Sequence, residues 1–185
     1  IRNFYYSNRQ INRQHAVIPP RIFSHLLNEY WHIIDIMNLH KDNLSRFITR
    51  CTANKAYARS RHVQYLSGSR EHQYAPFFNV AIKKYGLVEL FAHFDINELS
   101  RLTRFLTQIQ HACKELIHIY SGMRDSEVLS LKMDCLRVEK SQHGTIVHLL
   151  GETSKLIGQR KTTAWVTSNE IIKVIDVAKS IALVV

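Results

Sequence analysis

No run in this 185-residue sequence approaches 18 apolar residues, so no segment reads as a membrane-spanning helix. Ile1-Arg2-Asn3 does not open a secretory leader either. The three cysteines, Cys51, Cys113 and Cys135, are widely spaced and match neither C-x-x-C nor a zinc-ligand pattern. They read as reduced thiols of an intracellular protein. Eleven histidines are present, but no H-E-x-x-H and no His/Cys cluster with ligand spacing accompanies them. His111 and His118 share a helical face without a carboxylate to complete a site, so no metal is expected. Gly151 and Gly158 flank a turn and form no phosphate-cradling loop, and no cofactor is expected. Internal repeats and low-complexity tracts are absent, and so is an initiator Met. That last absence, with the apolar end Ile181-Ala182-Leu183-Val184-Val185, suggests a piece of something longer.

Acids are also scarce. Lys plus Arg number 25 against 15 Asp plus Glu, a net charge of +10 and a pI near 9.7. Such a balance favours a polyanionic partner through phosphate contacts and counterion release. Residues 1–75 hold 11 of the basic residues and only 4 acids, so the first part is the expected electrostatic footprint. Hydrophobic residues at 45% and charged residues at 22% are ordinary for a globular chain with a real core.

Pro19-Pro20 disfavours helix before it and suits a helix start after it. From Arg21 the apolar positions Ile22, Phe23, Leu26, Leu27, Tyr30, Trp31, Ile34 and Met37 recur at helical spacing. A second helix is predicted over about 42–66, with Leu44, Phe47, Ile48 and Cys51 on its buried face. Arg46, Arg50, Lys55, Arg59 and Arg61 recur about a turn apart along it, opposed only by Asp42. They form a candidate DNA-contacting face, the alternative being a solvated charged surface. A short helix after Pro76 should stop at Gly86. Asp95 reads as an N-cap with Glu98 three residues on, close to a capping box. It would open one long helix, or two with a bend, reaching Tyr120. Beyond Cys135 the pattern turns β-branched or alternating over 136–139, 145–150 and 162–166, with a tight turn at Gln142-His143-Gly144. Ser168 is placed to cap a last helix. The fold class expected is therefore α+β and mostly helical, with a small three-stranded antiparallel sheet and a boundary near residue 94. Residues 1–94 would be the basic helical part and 95–185 the α+β part. Trp31 and Trp165 read as core.

The most informative run is Tyr120-Ser121-Gly122-Met123-Arg124-Asp125-Ser126-Glu127-Val128-Leu129-Ser130-Leu131. A glycine ends a helix, an arginine follows at the mouth of the next turn, and an acid sits three residues later. This resembles the T-G-h-R-x-x-E-h-x-x-L pattern (h apolar) of the tyrosine recombinase, or phage integrase, family, with Ser121 where Thr is commoner. The long helix ahead and the three-stranded sheet behind, with a lysine in its second turn, match the family's arrangement over about residues 95–185. The resemblance implies the first half of the catalytic domain, preceded by a helical segment that clamps duplex DNA. It implies a strand transferase that cuts and rejoins DNA through a phosphotyrosine bond, without metal or nucleotide cofactor. It also implies self-association on DNA and a cytoplasmic, nucleoid-associated protein of bacterial or phage origin.

Attack on a phosphodiester concentrates negative charge on the non-bridging oxygens, which a planar guanidinium grips two at a time. Arg124 suits that role; its alternative is a surface arginine paired with Glu127 or Asp125. Glu127 lies one helical turn away and is implied as a supporting acid rather than a general base, or it forms a simple ion pair. The departing 5′-oxygen needs a proton donor. The family carries a general-acid lysine in the second β-turn, so Ser154-Lys155 is the first choice and Lys161, opening the next strand, the second. Arg160 and Lys161 add charge for DNA in the same connection.

The family also needs a later H-x-x-R, a further His or Trp, and a nucleophilic tyrosine. No H-x-x-R follows Lys155, and all eight tyrosines lie at or before Tyr120. No nucleophile is therefore assigned, and Tyr120 itself reads as packing. These 185 residues alone are expected to be inactive. The alternatives are a non-catalytic DNA-binding regulatory or architectural protein, and a helical module that binds an acidic protein partner.

Overall fold

The computed structural model describes residues 17–67, 75–142, 144–153 and 161–183. Helix α1 runs unbroken from Pro20 to Ala53 over 34 residues, with Pro20 at its first position. The sequence predicts two helices here, the second reaching residue 66. Instead, no Gly or Pro interrupts 21–53, and Ile34, Met37, Leu44, Phe47 and Ile48 stay on one buried stripe throughout. The break falls later. Asn54 turns extended, its Oδ1 accepts the Ala56 N–H at 2.9 Å, and Ala58 adopts a left-handed φ of 59°. Helix α2, Arg61–Leu66, follows. Its buried Gln64 donates to the Arg59 and Ala75 carbonyls at 3.0 and 2.9 Å, so a polar core group keeps its partners.

Helix α3, Phe78–Lys84, stops before Gly86 as expected from sequence, and a further helix, α4, Val88–His93, which is not predicted from sequence, follows it. Their aromatic side chains seal the base of α1. Phe78 and Phe91 stack at 5.6 Å, Phe47 meets Phe91 edge-on at 5.8 Å, and Phe91 meets Phe105 at 6.2 Å. Each such pair adds roughly 0.5–1.5 kcal/mol beyond its buried area.

Asp95 does not cap the next helix. It sits at φ 50° and its carboxylate accepts from Arg101 Nη1 at 3.1 Å. The helix begins instead as a 3-10 turn, Leu99–Arg101, and continues as α5, Leu102–Ser121. It is one helix, ended by Gly122 at φ 65°, whose N–H reaches the His118 carbonyl at 2.9 Å. A single short turn, α6, covers Asp125–Val128.

Strands β1 (Leu136–Ser141), β2 (Gly144–Thr153) and β3 (Lys161–Thr167) form an antiparallel sheet in that order. Arg137 faces His148 across the first pair, and Thr153 faces Lys161 at the open end of the second. Helix α7, Ile171–Ala182, closes the described fold with Ile171, Val174, Ile175, Val177 and Ile181 buried. Its first turn is received by the carbonyl of Ser168, 3.2 Å from the Ile171 N–H, rather than by the hydroxyl expected to cap it. The protein is thus α+β and mostly helical. One buried apolar cluster runs from Ile34 of α1 to Ile181 of α7, and both helices also pack on α5. No described helix is long and apolar enough to cross a membrane.

Candidate functional site

Arg124 lies where the chain leaves α5 and enters α6, and its side chain is exposed. Its backbone N–H is held by Glu127 Oε2 at 2.7 Å, which fixes the start of the turn. A guanidinium has only donors, so it cannot return the bond as a serine or threonine would in a capping box. Its five N–H groups have no hydrogen-bond or ion-pair partner among the described residues. Pairing with Glu127 or Asp125, the ordinary fate of a surface arginine here, does not occur. Both acids are engaged elsewhere.

Glu127 is buried, at 6% exposure. Its second oxygen accepts from Thr153 Oγ1 at 2.7 Å, a contact spanning 26 residues. A buried carboxylate is tolerable only with such donors around it. Through Glu127, the arginine turn and the last residue of β2 are fastened to one another. Ser130 makes a second fastening: its hydroxyl donates to the Glu127 carbonyl at 2.7 Å and accepts the Glu152 N–H at 2.8 Å. Gly151 permits the approach. A Cβ there would stand 3.1 Å from Ser130 Oγ and 3.3 Å from both Leu131 Cδ2 and Met123 Cε.

Asp125 turns back toward α5. Lys114 Nζ contacts its Oδ1, and His118 Nε2 lies 3.7 Å from the same oxygen. The hydrogen bond from Lys114, and behind it the charges of Lys114 and His118, hold the Asp125 carboxyl below its ordinary value; Lys114 is raised in return. His118 Nδ1 lies 2.8 Å from the Met123 carbonyl, and because a carbonyl only accepts, this nitrogen carries the hydrogen. His111 lies 3.6 Å from Glu115. The two histidines each face a carboxylate, but not a shared one. These carboxylates come from one turn along the helix and from the folded-back Asp125, and they face the two rings separately.

Lys161 opens β3, exposed and opposite Thr153. Arg124 and Lys161 are thus linked through the chain of contacts Arg124–Glu127–Thr153–Lys161 at one end of the sheet. Lys155 and Arg160 lie outside the described residues.

The five basic residues expected to share one helical face do not. Arg46 and Arg50 project from the last third of α1, and Arg50 caps the Tyr57 ring at 5.5 Å. Lys55 and Arg59 fall in the reversal after Ala53 and line a groove of ≈ 720 Å³ against Leu102 and Leu106 of α5. Burial of the thiol pushes Cys51, in the floor of that groove, up to about 11, against the opposing pull of Arg59. Arg61 begins α2 and lies 5.7 Å over the Phe77 ring. The reason is the helix end at Ala53, which sequence periodicity alone ran through. Arg46 instead shares a hollow with Lys84, a residue the sequence does not single out.

Trp31 Nε1 donates to the Tyr120 hydroxyl at 3.1 Å, and Thr167 Oγ1 donates to the Tyr120 carbonyl at 3.2 Å. Tyr120 therefore anchors the helix end that presents Arg124, joining it to α1 and β3. Nothing in the spacing of Tyr120 indicates either bond. No known protein family, curated protein or solved structure matches the chain.

Proposed function

We propose that this chain is the front part of a DNA strand transferase of the tyrosine recombinase type, with Arg124 gripping the phosphate that is attacked. One observation carries the proposal: Arg124 presents an unpartnered guanidinium while its own backbone is fixed by the buried Glu127. An ion pair with a neighbouring acid would occupy the guanidinium, if only weakly at the surface. Here two acids lie within three residues, and both are committed to other groups. The cation is left available at a fixed point of the backbone, where it can meet a developing oxyanion.

The Glu127–Thr153 bond further supports the proposal. It ties the arginine turn to the strand end from which the connection bearing Lys155 departs two residues later. In this scheme Glu127 is a positioning residue, which refines the supporting role implied for it. Lys155, or else Lys161, would protonate the leaving 5′-oxygen. The attacking hydroxyl belongs to a tyrosine outside these 185 residues; it would displace that 5′-oxygen and take the 3′-phosphate as a phosphotyrosyl ester. Duplex DNA is the partner, met by Arg46, Arg50, Lys55, Arg59 and Arg61 on separate patches rather than one stripe.

The test is covalent trapping. Duplex DNA carrying the protein's target, nicked so that religation fails, is incubated with the protein in its natural full-length chain. A protein–DNA species stable in denaturing detergent is expected, and Arg124→Ala should abolish it while Glu127→Gln reduces it. Tight DNA binding with no adduct overturns strand transfer and favours the non-catalytic DNA-binding alternative.

A further inference from the structure

Arg46 of α1 and Lys84 at the end of α3 reach one surface hollow of ≈ 540 Å³, completed by Asn43, Tyr85 and Gly86. No acid lines it, and neither cation has an ion-pair partner among the described residues. Two like charges gathered from separate helices repel one another unless an anion sits between them.

The polar groups around the charges are set as donors. Asn43 Oδ1 is occupied by Arg46 Nη2 at 2.5 Å, which leaves the amide nitrogen to donate. That nitrogen lies 3.7 Å from the position a Cβ would take on Gly86, so it sits beside the glycine at the wall of the hollow. Gly86 sits at φ 64° and keeps this side of the hollow clear. Tyr85, whose ring packs on Phe47 at 5.6 Å, also lines the hollow. A fork of guanidinium donors, a mobile ammonium and an amide surround one small space. Together they match a tetrahedral oxyanion bearing two charges.

We infer that the hollow formed by Asn43, Arg46, Lys84 and Gly86 is a phosphate subsite. The phosphate belongs either to a duplex backbone or to a free phosphate ester; in the first case the inference rests on the DNA reading above, in the second it does not. Lys84 is the new member of the site, and the sequence alone gives it no periodic partner.

The experiment follows the Asn43 side-chain amide and Arg46 Nε–H resonances of the whole chain by NMR. Inorganic phosphate, and separately a short duplex, are added at constant ionic strength. Both probes should shift these resonances saturably, while matched sodium chloride does not. Lys84→Gln, an exposed substitution, should weaken phosphate binding about tenfold, the equivalent of about 1.4 kcal/mol. If phosphate shifts them and duplex does not, the subsite stands and its ligand is a free phosphate ester. If duplex binds and neither it nor phosphate moves them, the DNA reading stands and the subsite is overturned. If phosphate leaves them unmoved, or binds Lys84→Gln as tightly as the parent, the subsite is overturned as well.

Discussion

Glu127 accepts one hydrogen bond from its own turn and one from a strand 26 residues away. Glu127→Ala leaves the Arg124 N–H and the Thr153 hydroxyl, both in part-buried hydrogen bonds, without that acceptor, costing about 1–3 kcal/mol. Urea unfolding should show the loss, and Thr153→Val should show a smaller one. Asp125 offers a pH test. Its folded carboxyl lies below the ordinary 3.8, so its stabilising effect is complete above that value and disappears as pH falls through the lowered one. The stability gap between the parent and Asp125→Asn should therefore be full at neutral pH and close in acid. A gap that persists at the acid end, or widens there, contradicts the sign. At this scale the sequence made Arg124 and Glu127 legible, because their spacing is local. Thr153 and Ser130 were not legible, since nothing in a linear chain announces a partner more than twenty residues away.

Among the elements, two glycines hold the arginine turn in place for different physical reasons. Gly122 ends α5 at φ 65° with nothing within 4 Å of a built Cβ, so alanine there meets only backbone strain of about 1–2 kcal/mol. Gly151 has no positive φ but lies against Ser130, Leu131 and Met123. Alanine there makes these neighbours of the arginine turn give way by a few tenths of an ångström, costing about 1–3 kcal/mol. Thermal unfolding should register both, and only Gly151→Ala should also weaken any activity that depends on Arg124. The three strands were readable from their alternation, and the end of α5 from its glycine. The end of α1 was not. Asn54 breaks the helix by taking the Ala56 N–H into its own side chain, and the chain then reverses through the left-handed Ala58. Both are devices that periodicity does not register.

Across the whole molecule, charge and packing are organised differently. The apolar cluster is continuous from α1 to α7, whereas basic residues among those described stand on separate patches, among them the Arg46–Lys84 hollow, the Lys55–Arg59 groove, Arg61 over Phe77, and Arg124 at the sheet end. The excess of positive charge and its bias to the first part were plain in the composition. Its division into patches depends on where α1 stops, which is why a single stripe was expected. A ligand spanning several patches must be long and polyanionic, and its affinity must fall steeply with salt.

Duplex DNA binding followed from low to high salt for the parent, Arg124→Ala and Arg124→Lys tests the claim that Arg124 holds a phosphate. Arg124→Ala should lower the slope of log K against log salt by about one phosphate contact, and Arg124→Lys should restore the slope but not the full affinity. Identical slopes and affinities for all three proteins contradict the account.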